Sequence, residues 1–310
     1  MPRVTFPLPG SGRMTVVEPA PAPGPRCWAG APSAALDEDG GIVLAYRIRV
    51  ADAGIATTVV ARSSDGEHYT TVATLDKARF GAHSMERPAL VRSENGRWRL
   101  YVCCASPAWP ASKHWWIDVL EADDPAGLAD AKARTVFAGD ERTGLKDPVI
   151  RRTAGHWQAW ICCHPLDVPG EEDRMTTAYA TSDDGLTWDW HGTALAGRPG
   201  SWDARGARVT AVLADGANRA DGQVSYDGRA SKEENFSERT GLARFDGGPG
   251  RLAASGEAPV SNVRYLDVLP LSDGGYRLYY EAPLPDGSHE LRTEVAMAAS
   301  GTMAHPHHVV

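Results

Sequence analysis

Charged side chains stand at the start of several short apolar segments of the chain. Glu86 and Arg87 precede PALVR, Lys146 and Asp147 precede PVIRR, and arginines begin the segments RVTAVL and RYLDVL. A carboxylate can donate or accept a proton in catalysis, and an arginine can hold a carboxylate or phosphate through two parallel hydrogen bonds. These residue types therefore predict proton-transfer chemistry or recognition of an anion, provided that the fold brings the segments together.

The sequence predicts a recurring unit of two strands joined by a turn. These apolar segments, together with APSAAL at Ala31, are the predicted first strands of the units. The second strands begin near a glycine and contain alternating aromatic residues. They are GGIVLAYRIR from Gly40, GRWRLYVCCA from Gly96, GHWQAWICCH from Gly155, DGQVSYDGRA from Asp221 and GGYRLYYEAP from Gly274. The glycines recur about 53 to 67 residues apart, which is typical of a four-stranded propeller blade.

The repeat predicts an all-β fold, a five-bladed β-propeller, as a single domain over residues 1–310. The strand RMTVVE at Arg13 has no partner of its own. We expect it to pair into the last blade and close the ring, because this removes an exposed edge. Residues 1–26 are then this closing strand and a proline-rich connector, and residues 295–310 are a tail.

The composition narrows the class of partner. Hydrophobic residues make up 42% of the chain, charged residues 23%, and the formal net charge is -8. This negative charge opposes binding to nucleic acid or to an anionic membrane, and no apolar run approaches the roughly 20 residues that span a bilayer. We therefore expect a small-molecule substrate, and the absence of a secretory signal in this sequence predicts a cytoplasmic location.

Four of the five cysteines form the adjacent pairs Cys103-Cys104 and Cys162-Cys163 within apolar strand patterns. Neighbouring strand residues face opposite sides, so the pattern predicts free, buried thiols. No zinc-ligand, dinucleotide or phosphate-loop spacing occurs, and we predict neither a metal nor a cofactor. The histidines of the tail, from His305 onward, are interpreted as part of a polar terminus.

In a propeller the innermost strand of each blade begins near the central axis. The residues at the five strand heads should therefore converge on one pocket, although they are distant in sequence. A concentration of charge there favours a functional pocket. The alternative is a buried ion-pair network that only holds the blades together.

The Asp147-Pro148 pair, the SDDGLTW turn at Ser182 and the blade period resemble the five-bladed glycoside hydrolases of family 43 and their relatives in families 32, 62 and 130. The resemblance covers nearly the whole chain, from Trp28 to Thr293, through short motifs. It implies inverting sugar hydrolysis by a base aspartate at the head of blade one, an orienting aspartate at blade three and an acid glutamate at blade four. Such a mechanism needs one carboxylate to activate water and a protonated one to assist the leaving group.

Of these three positions, Asp147 alone matches. Ala31 stands at the expected base, and Arg205-Gly206-Ala207 stands at the expected acid. The resemblance therefore implies a degenerate catalytic triad. The candidate catalytic residues are Asp147, Glu86, Asp203, which lies just upstream of the missing acid, and Glu238, which lies in a long polar loop.

The candidate substrate-binding residues are cations near the strand heads and side chains that could stack on a sugar. They are Arg87, Lys146, Arg205, Arg208, Arg264, His83, Trp115, Trp116 and Trp202. The sequence thus predicts a glycoside hydrolase-like enzyme with a non-standard acid/base set, acting on a sugar or on a sugar-like or anionic small molecule. Phosphorolysis, as in family 130, would use such cations to hold phosphate. The alternative is a non-hydrolytic biosynthetic enzyme, for cyclisation or isomerisation, or a ligand-binding propeller that has lost glycosidase activity.

Overall fold

The computed structural model describes residues 5–106, 114–153, 155–213 and 222–297. Within these ranges the regular structure is β-strand, apart from two short 3-10 helices at Lys77–Phe80 and Pro125–Ala129. The described residues contain no helix that is long and apolar enough to cross a membrane. The nearly all-β character that the repeat predicts is confirmed. The predicted tail beyond residue 297 lies outside the described residues.

The strands follow one another in short antiparallel runs. They are β1 (Thr15–Glu18), β2 (Cys27–Leu36), β3 (Ile42–Val50), β4 (Ile55–Ser63), β5 (Thr70–Asp76), β6 (Ser84–Met85), β7 (Ala89–Arg92), β8 (Trp98–Ala105), β9 (Trp115–Ala122), β10 (Arg134–Phe137), β11 (Thr143–Thr153), β12 (His156–Pro165), β13 (Thr176–Ser182), β14 (Asp189–Ala196), β15 (Gly206–Leu213), β16 (Gln223–Arg229), β17 (Arg239–Phe245), β18 (Leu252–Ser255), β19 (Arg264–Pro270), β20 (Tyr276–Pro283) and β21 (His289–Ala296).

Consecutive strands pair in antiparallel units. β2 to β5 form the first unit, β6 and β7 both pair with β8 in the second, which continues through β9 to β10, and β11 to β14 and β15 to β18 form the third and fourth. In the fifth unit, β19, β20 and β21 pair in order and β1 pairs antiparallel with β21. A single parallel bridge between Trp28 and His289 joins β2 to β21. The N-terminal strand therefore completes a four-stranded unit with the last three strands.

Five hydrophobic clusters lie between successive units. Leu44 and Val59 of the first unit pack with Tyr279 and Leu291 of the fifth, and the other four clusters join units one to two, two to three, three to four and four to five. The alternation of apolar residues along each strand supplies both faces, because successive side chains point to opposite sides of a sheet. Each unit is consequently buried on both faces.

Two turns that contain serine, aspartate and glycine, at residues 63–66 and 182–185, contact neighbouring units. In both copies a serine hydroxyl accepts a hydrogen bond from the glycine amide three residues on, at 2.8 Å for Ser63 with Gly66 and for Ser182 with Gly185. The Gly185 carbonyl then accepts a hydrogen bond from the Tyr101 hydroxyl of the preceding unit at 2.8 Å. The SDDGLTW segment at Ser182 is thus a turn, as expected from the sequence.

Three first strands carry the same bulge near their heads. Ala31, Asp147 and Tyr265 have positive φ angles of 53°, 51° and 51°, a conformation that side chains other than glycine rarely adopt. The register with the second strand shifts at each of these places. Tyr265 is therefore the equivalent of Asp147, and Arg264 is the equivalent of Lys146. In the sequence, Arg264 at the start of RYLDVL is matched with Asp147, and this alignment is wrong by one residue.

Candidate functional site

A cavity of about 410 Å³ opens where the first strands begin and the second strands end. We call it the head cavity. Its lining combines eight lysine or arginine side chains, four carboxylates and several aromatic rings. The lining residues are Arg26, Trp28, Arg47, Arg49, His83, Ser84, Glu86, Ala105, Trp115, Lys146, His164, Glu172, Asp173, Met175, Arg208, Arg229, Lys232, Asn235, Phe236, Glu238, Arg264 and Tyr265.

The floor of the head cavity is a network of buried ion pairs, here called the charged network. The structure brings together five residues that the sequence singled out and adds three from the second strands. The members are Glu86, Asp147, Arg208, Glu238 and Arg264, with Arg47, Asp227 and Glu281. All eight are at most 7% exposed.

Arg208 forms one half of the network. Its guanidinium lies 2.9 Å from a carboxylate oxygen of Asp147 and 2.6 Å from one of Asp227. It also stacks on the ring of Tyr265 at 3.9 Å and donates a hydrogen bond to the hydroxyl of that residue at 2.9 Å. Burial raises the pKa of Asp147, but the charges of Lys146 and Arg208 outweigh burial and hold this pKa well below its ordinary value.

Arg47 and Arg264 form the other half. Arg47 lies 2.8 Å from Glu86 and 3.4 Å from Glu281. Arg264 lies 3.4 Å from both Glu281 and Glu238. Glu281 therefore lies between two arginines, and Glu238 lies between Arg264 and Arg229, whose Nη1 is 2.7 Å away.

Three carboxylates of the charged network, those of Glu86, Glu238 and Glu281, are ionised at neutral pH. Burial raises the pKa of Glu86, but the nearby cations, Lys146 first, lower it overall. Burial also raises the pKa values of Glu238 and Glu281, but the neighbouring groups, the positive charge of Arg264 first, together have the larger effect and lower both to about 2. An ionised carboxylate can act as a base or stabilise positive charge, but it has no proton to donate.

The walls of the cavity carry rings and more loosely paired cations. The ammonium of Lys146 lies 5.5 Å from the ring centre of Trp115 and 3.9 Å from Asp147. Arg49 lies 5.3 Å from the ring centre of Trp28 and 3.6 Å from Glu86. These cations are less fully neutralised than the arginines of the floor and are available to a ligand.

The two histidines of the cavity differ in environment. His83 is exposed at the rim. His164 is buried, its Nδ1 donates a hydrogen bond to the carbonyl of Glu172 at 2.9 Å, and burial lowers its pKa to about 3. His164 is consequently neutral at physiological pH and stacks on Trp115 at 5.3 Å.

Three sequence candidates from the fourth head lie away from the cavity lining. Asp203 accepts a hydrogen bond from the Tyr226 hydroxyl at 2.7 Å and pairs with Arg198 at 2.9 Å. Trp202 stacks on Tyr226, and Arg205 pairs with carboxylates of the loop before β13. The chain turns at residues 201–205 before β15 begins, so Trp202 and Asp203 point toward Tyr226 of β16 and Arg205 points toward that loop.

Two further candidates point elsewhere. Arg87 follows Glu86 directly and extends in the opposite direction, where its Nη2 lies 3.4 Å from Asp267. Trp116 follows Trp115 and donates a hydrogen bond to Asp118 at 3.1 Å. In the second pair the alternation of strand β9 places Trp115 at the cavity and turns Trp116 away, whereas Glu86 and Arg87 lie in the link between β6 and β7.

Sequence reasoning missed Arg47, Asp227 and Glu281. Each follows an aromatic residue inside a second strand, in AYRIR, SYDGR and YYEAP. A charge within an otherwise apolar strand was the available signal, because a buried charge needs a partner. Pairing sets these residues opposite the first-strand heads, with Arg208 across from Asp227 and Arg264 across from Glu281.

No family model matches the chain, and no curated protein matches it in sequence. Solved structures do match. A β-1,2-mannobiose phosphorylase from Listeria innocua, in complex with β-1,2-mannobiose, has a TM-score of 0.64 at 14% identity, over 94% of this chain and 92% of that chain. A thermostable family-43 glycoside hydrolase has a TM-score of 0.65 at 13% identity, over 94% and 92%. An α-L-arabinofuranosidase from Lactobacillus brevis has a TM-score of 0.62 at 14% identity, over 88% and 94%.

These likenesses define the class of the fold. The chain has the propeller fold of glycoside hydrolases and of related phosphorylases. The resemblance to family 43 and its relatives is confirmed at the level of fold. Because one such fold hosts many reactions, the reaction has to be argued from the site.

Proposed function

We propose that the five antiparallel units are the blades of a single-domain, five-bladed propeller whose ring is closed by β1. The pairing of β1 with β21 supports closure. The five hydrophobic clusters also support it, because the fifth joins the last unit to the first. A ring of this kind places all five first-strand heads around one cavity.

We propose that the head cavity is the active site of a glycoside hydrolase-like enzyme. Its substrate is a sugar or sugar-like small molecule that carries an anionic group. The observation that carries this proposal is the excess of cations over carboxylates in the lining, with Arg49, Lys146 and Lys232 outside the tight pairs of the floor. Guanidinium and ammonium groups in a cavity bind carboxylate or phosphate strongly. The rings of Trp28 and Trp115 provide surfaces for the apolar faces of a sugar.

Within this proposal the triad is degenerate and Glu86 is the carboxylate that contacts the substrate. Glu86 lines the cavity, whereas Asp147 is fully buried and accepts hydrogen bonds from the Arg87 amide and the Arg208 guanidinium. Asp147 is then a positioning residue for Arg208. Because Glu86 is ionised it acts as a base, and the proton for the leaving group comes from water or from an acidic group of the substrate.

Phosphorolysis is the second candidate, and a specific observation favours it. An inverting phosphorolysis uses phosphate as the nucleophile and needs no carboxylate base. The first head has Ala31 in place of that base, and the space for a side chain on Gly30 is filled by Glu281. The cations at the mouth would hold phosphate, and the similar Listeria innocua protein is a phosphorylase.

The test is a panel of neutral aryl arabinosides and xylosides, uronic-acid glycosides and sugar phosphates, assayed with and without inorganic phosphate. We expect turnover of an anionic glycoside, and Glu86→Gln should lower it about 10² to 10⁴-fold. Glu121→Gln is the matched control, because Glu121 pairs with Arg99 on β8 and lies outside the cavity lining. Phosphate dependence would select phosphorolysis.

Two results would overturn this proposal. Rapid turnover of neutral arabinosides that Glu86→Gln leaves unchanged would place the active centre elsewhere. Saturable binding of an anionic sugar without turnover of any substrate in the panel would favour the non-hydrolytic or ligand-binding alternative. The closed ion pairing of the charged network is compatible with such a binding role.

A further inference from the structure

A second cavity of about 360 Å³ lies at the other ends of the same five first strands. We call it the opposite cavity. The head cavity contains Lys146 and Arg264, near the strand heads, whereas the opposite cavity contains Ile150 and Leu269, further along β11 and β19. The two cavities are therefore separate sites on one set of strands.

The walls of the opposite cavity present polar and apolar surface in about equal measure. All five first strands contribute, and the apolar lining residues are Ala34, Leu90, Pro148, Val149, Ile150, Ala211, Val212, Leu213, Val268, Leu269 and Pro270. The polar lining residues are Ser33, Arg87, Arg151, Gln223, Asp267 and Tyr276. The aliphatic side chains fit a compact apolar body that lies beside these polar groups.

Two arginines of the lining have buried donors that are not satisfied. Arg87 is 1% exposed, and its Nε donates a hydrogen bond to the carbonyl of Pro32 at 3.1 Å. Its Nη1 has no hydrogen-bond partner within the described ranges, and the same holds for Nη1 of Arg151. A buried donor without a partner is costly, and for a charged group the cost is larger.

Asp267 is the carboxylate of the lining, and it already has partners within the protein. Asp267 accepts a hydrogen bond from the Ala34 amide at 2.8 Å and lies 3.4 Å from Arg87. Arg151 forms no ion pair with another described residue. The cavity consequently has a surplus positive charge and free donors, and it disfavours a second cation.

We propose that the opposite cavity is a second binding site, which takes a small organic monocarboxylate with a short apolar body. The carboxylate accepts hydrogen bonds from Arg151 and from Nη1 of Arg87, and the apolar body packs against the side chains of β11, β15 and β19. A guanidinium binds a carboxylate through two parallel bonds, and the volume is in the range of small-ligand pockets. This site does not depend on the function proposed for the head cavity.

The experiment uses hexanoate and benzoate as probes on the full chain, with hexanamide as the uncharged comparison. Two-dimensional NMR should show saturable shifts in the amides of Ile150, Val212 and Leu269. Titration calorimetry should show about 10-fold weaker binding of hexanamide, because it lacks the charge. Arg151→Gln should weaken hexanoate binding about 10-fold, and Arg151→Lys should retain part of it.

Arg152→Gln is the matched control. Arg152 neighbours Arg151 on β11, points to the opposite face and pairs with Glu94, so binding should be unchanged in this variant. Equal affinity for hexanoate and hexanamide, wild-type binding by Arg151→Gln, no saturable binding, or shifts confined to the head cavity would each overturn the proposal.

Discussion

Replacing Asp147 with asparagine tests the charged network most directly. The change keeps the size of the side chain and leaves an oxygen to accept the hydrogen bond from the Arg87 amide, which is 3.0 Å from Oδ1. It removes the negative charge that lies 2.9 Å from Arg208. Arg208 then retains Asp227 as its single charged partner, in surroundings where both arginine and carboxylate are at most 2% exposed.

The expected loss of unfolding free energy is large because the buried charge of Arg208 would lose one of its two carboxylate partners. Removing one partner of a buried ion pair typically costs about 3 to 5 kcal/mol. Since Asp227 still pairs with Arg208 at 2.6 Å, we expect the lower end, about 3 kcal/mol. A loss of this size would move the denaturation midpoint clearly, because it is a large part of the stability of a typical domain.

The assay is urea unfolding at pH 7 of the wild type, Asp147→Asn, Arg208→Met and the double variant. The loss of unfolding free energy in the double variant should be smaller than the sum of the losses in the two single variants, because the two residues contact each other. Asp246→Asn is the control, since Asp246 pairs with Arg251 at 2.8 Å on the exposed surface and such pairs contribute little. A wild-type midpoint for Asp147→Asn, or additive losses, would refute the reasoning.

Three further outcomes are expected. Glu238 and Glu281 have folded pKa values of about 2 against an ordinary 4.5, so the unfolded state binds more protons in this window. The stability that they contribute is present above pH 4.5 and is lost as the pH falls toward 2; equal urea midpoints at pH 6 and pH 3 would contradict this. Gly30→Ala should lower the unfolding free energy by about 1 to 3 kcal/mol, because the added Cβ meets the Glu281 side chain, and an unchanged melting temperature would count against it. All five cysteines should take an alkyl label in unreduced, denatured protein, while Cys103, Cys104 and Cys162 react slowly in the native state because they are buried and burial raises their pKa. Fewer than five labels would indicate a disulfide.

Local patterns in the chain were sufficient to predict a nearly all-β chain with recurring pairs of strands. Alternating apolar residues, glycine-containing turns and the recurring second strand predicted an all-β repeat, and the serine-aspartate-glycine turns form as expected. These features depend on neighbours within a few residues, where strand period and turn chemistry act. The convergence of Glu86, Asp147, Arg208 and Arg264 also followed from the repeat, because each residue lies at or next to the head of a first strand.

The direction of individual side chains depended on tertiary structure. The sequence alone did not reveal that Tyr265 shares the positive φ of Ala31 and Asp147, and this bulge moves Arg264 into the place equivalent to Lys146. One residue of shift exchanges the two faces of a strand. In the link between β6 and β7, Glu86 lines the head cavity and Arg87 lines the opposite cavity, although the two residues are adjacent in sequence.

Which charged residues pair with each other was likewise decided by the fold. Arg47 and Glu281 are 234 positions apart, yet they share a contact on the cavity floor. Asp203, which is adjacent to the fourth head in sequence, pairs with Arg198 and Tyr226. The sequence by itself determined which residue types meet near the strand heads. The tertiary structure decided which charges pair and which face a ligand, because an ion pair forms only where the folded backbone brings two buried groups into contact.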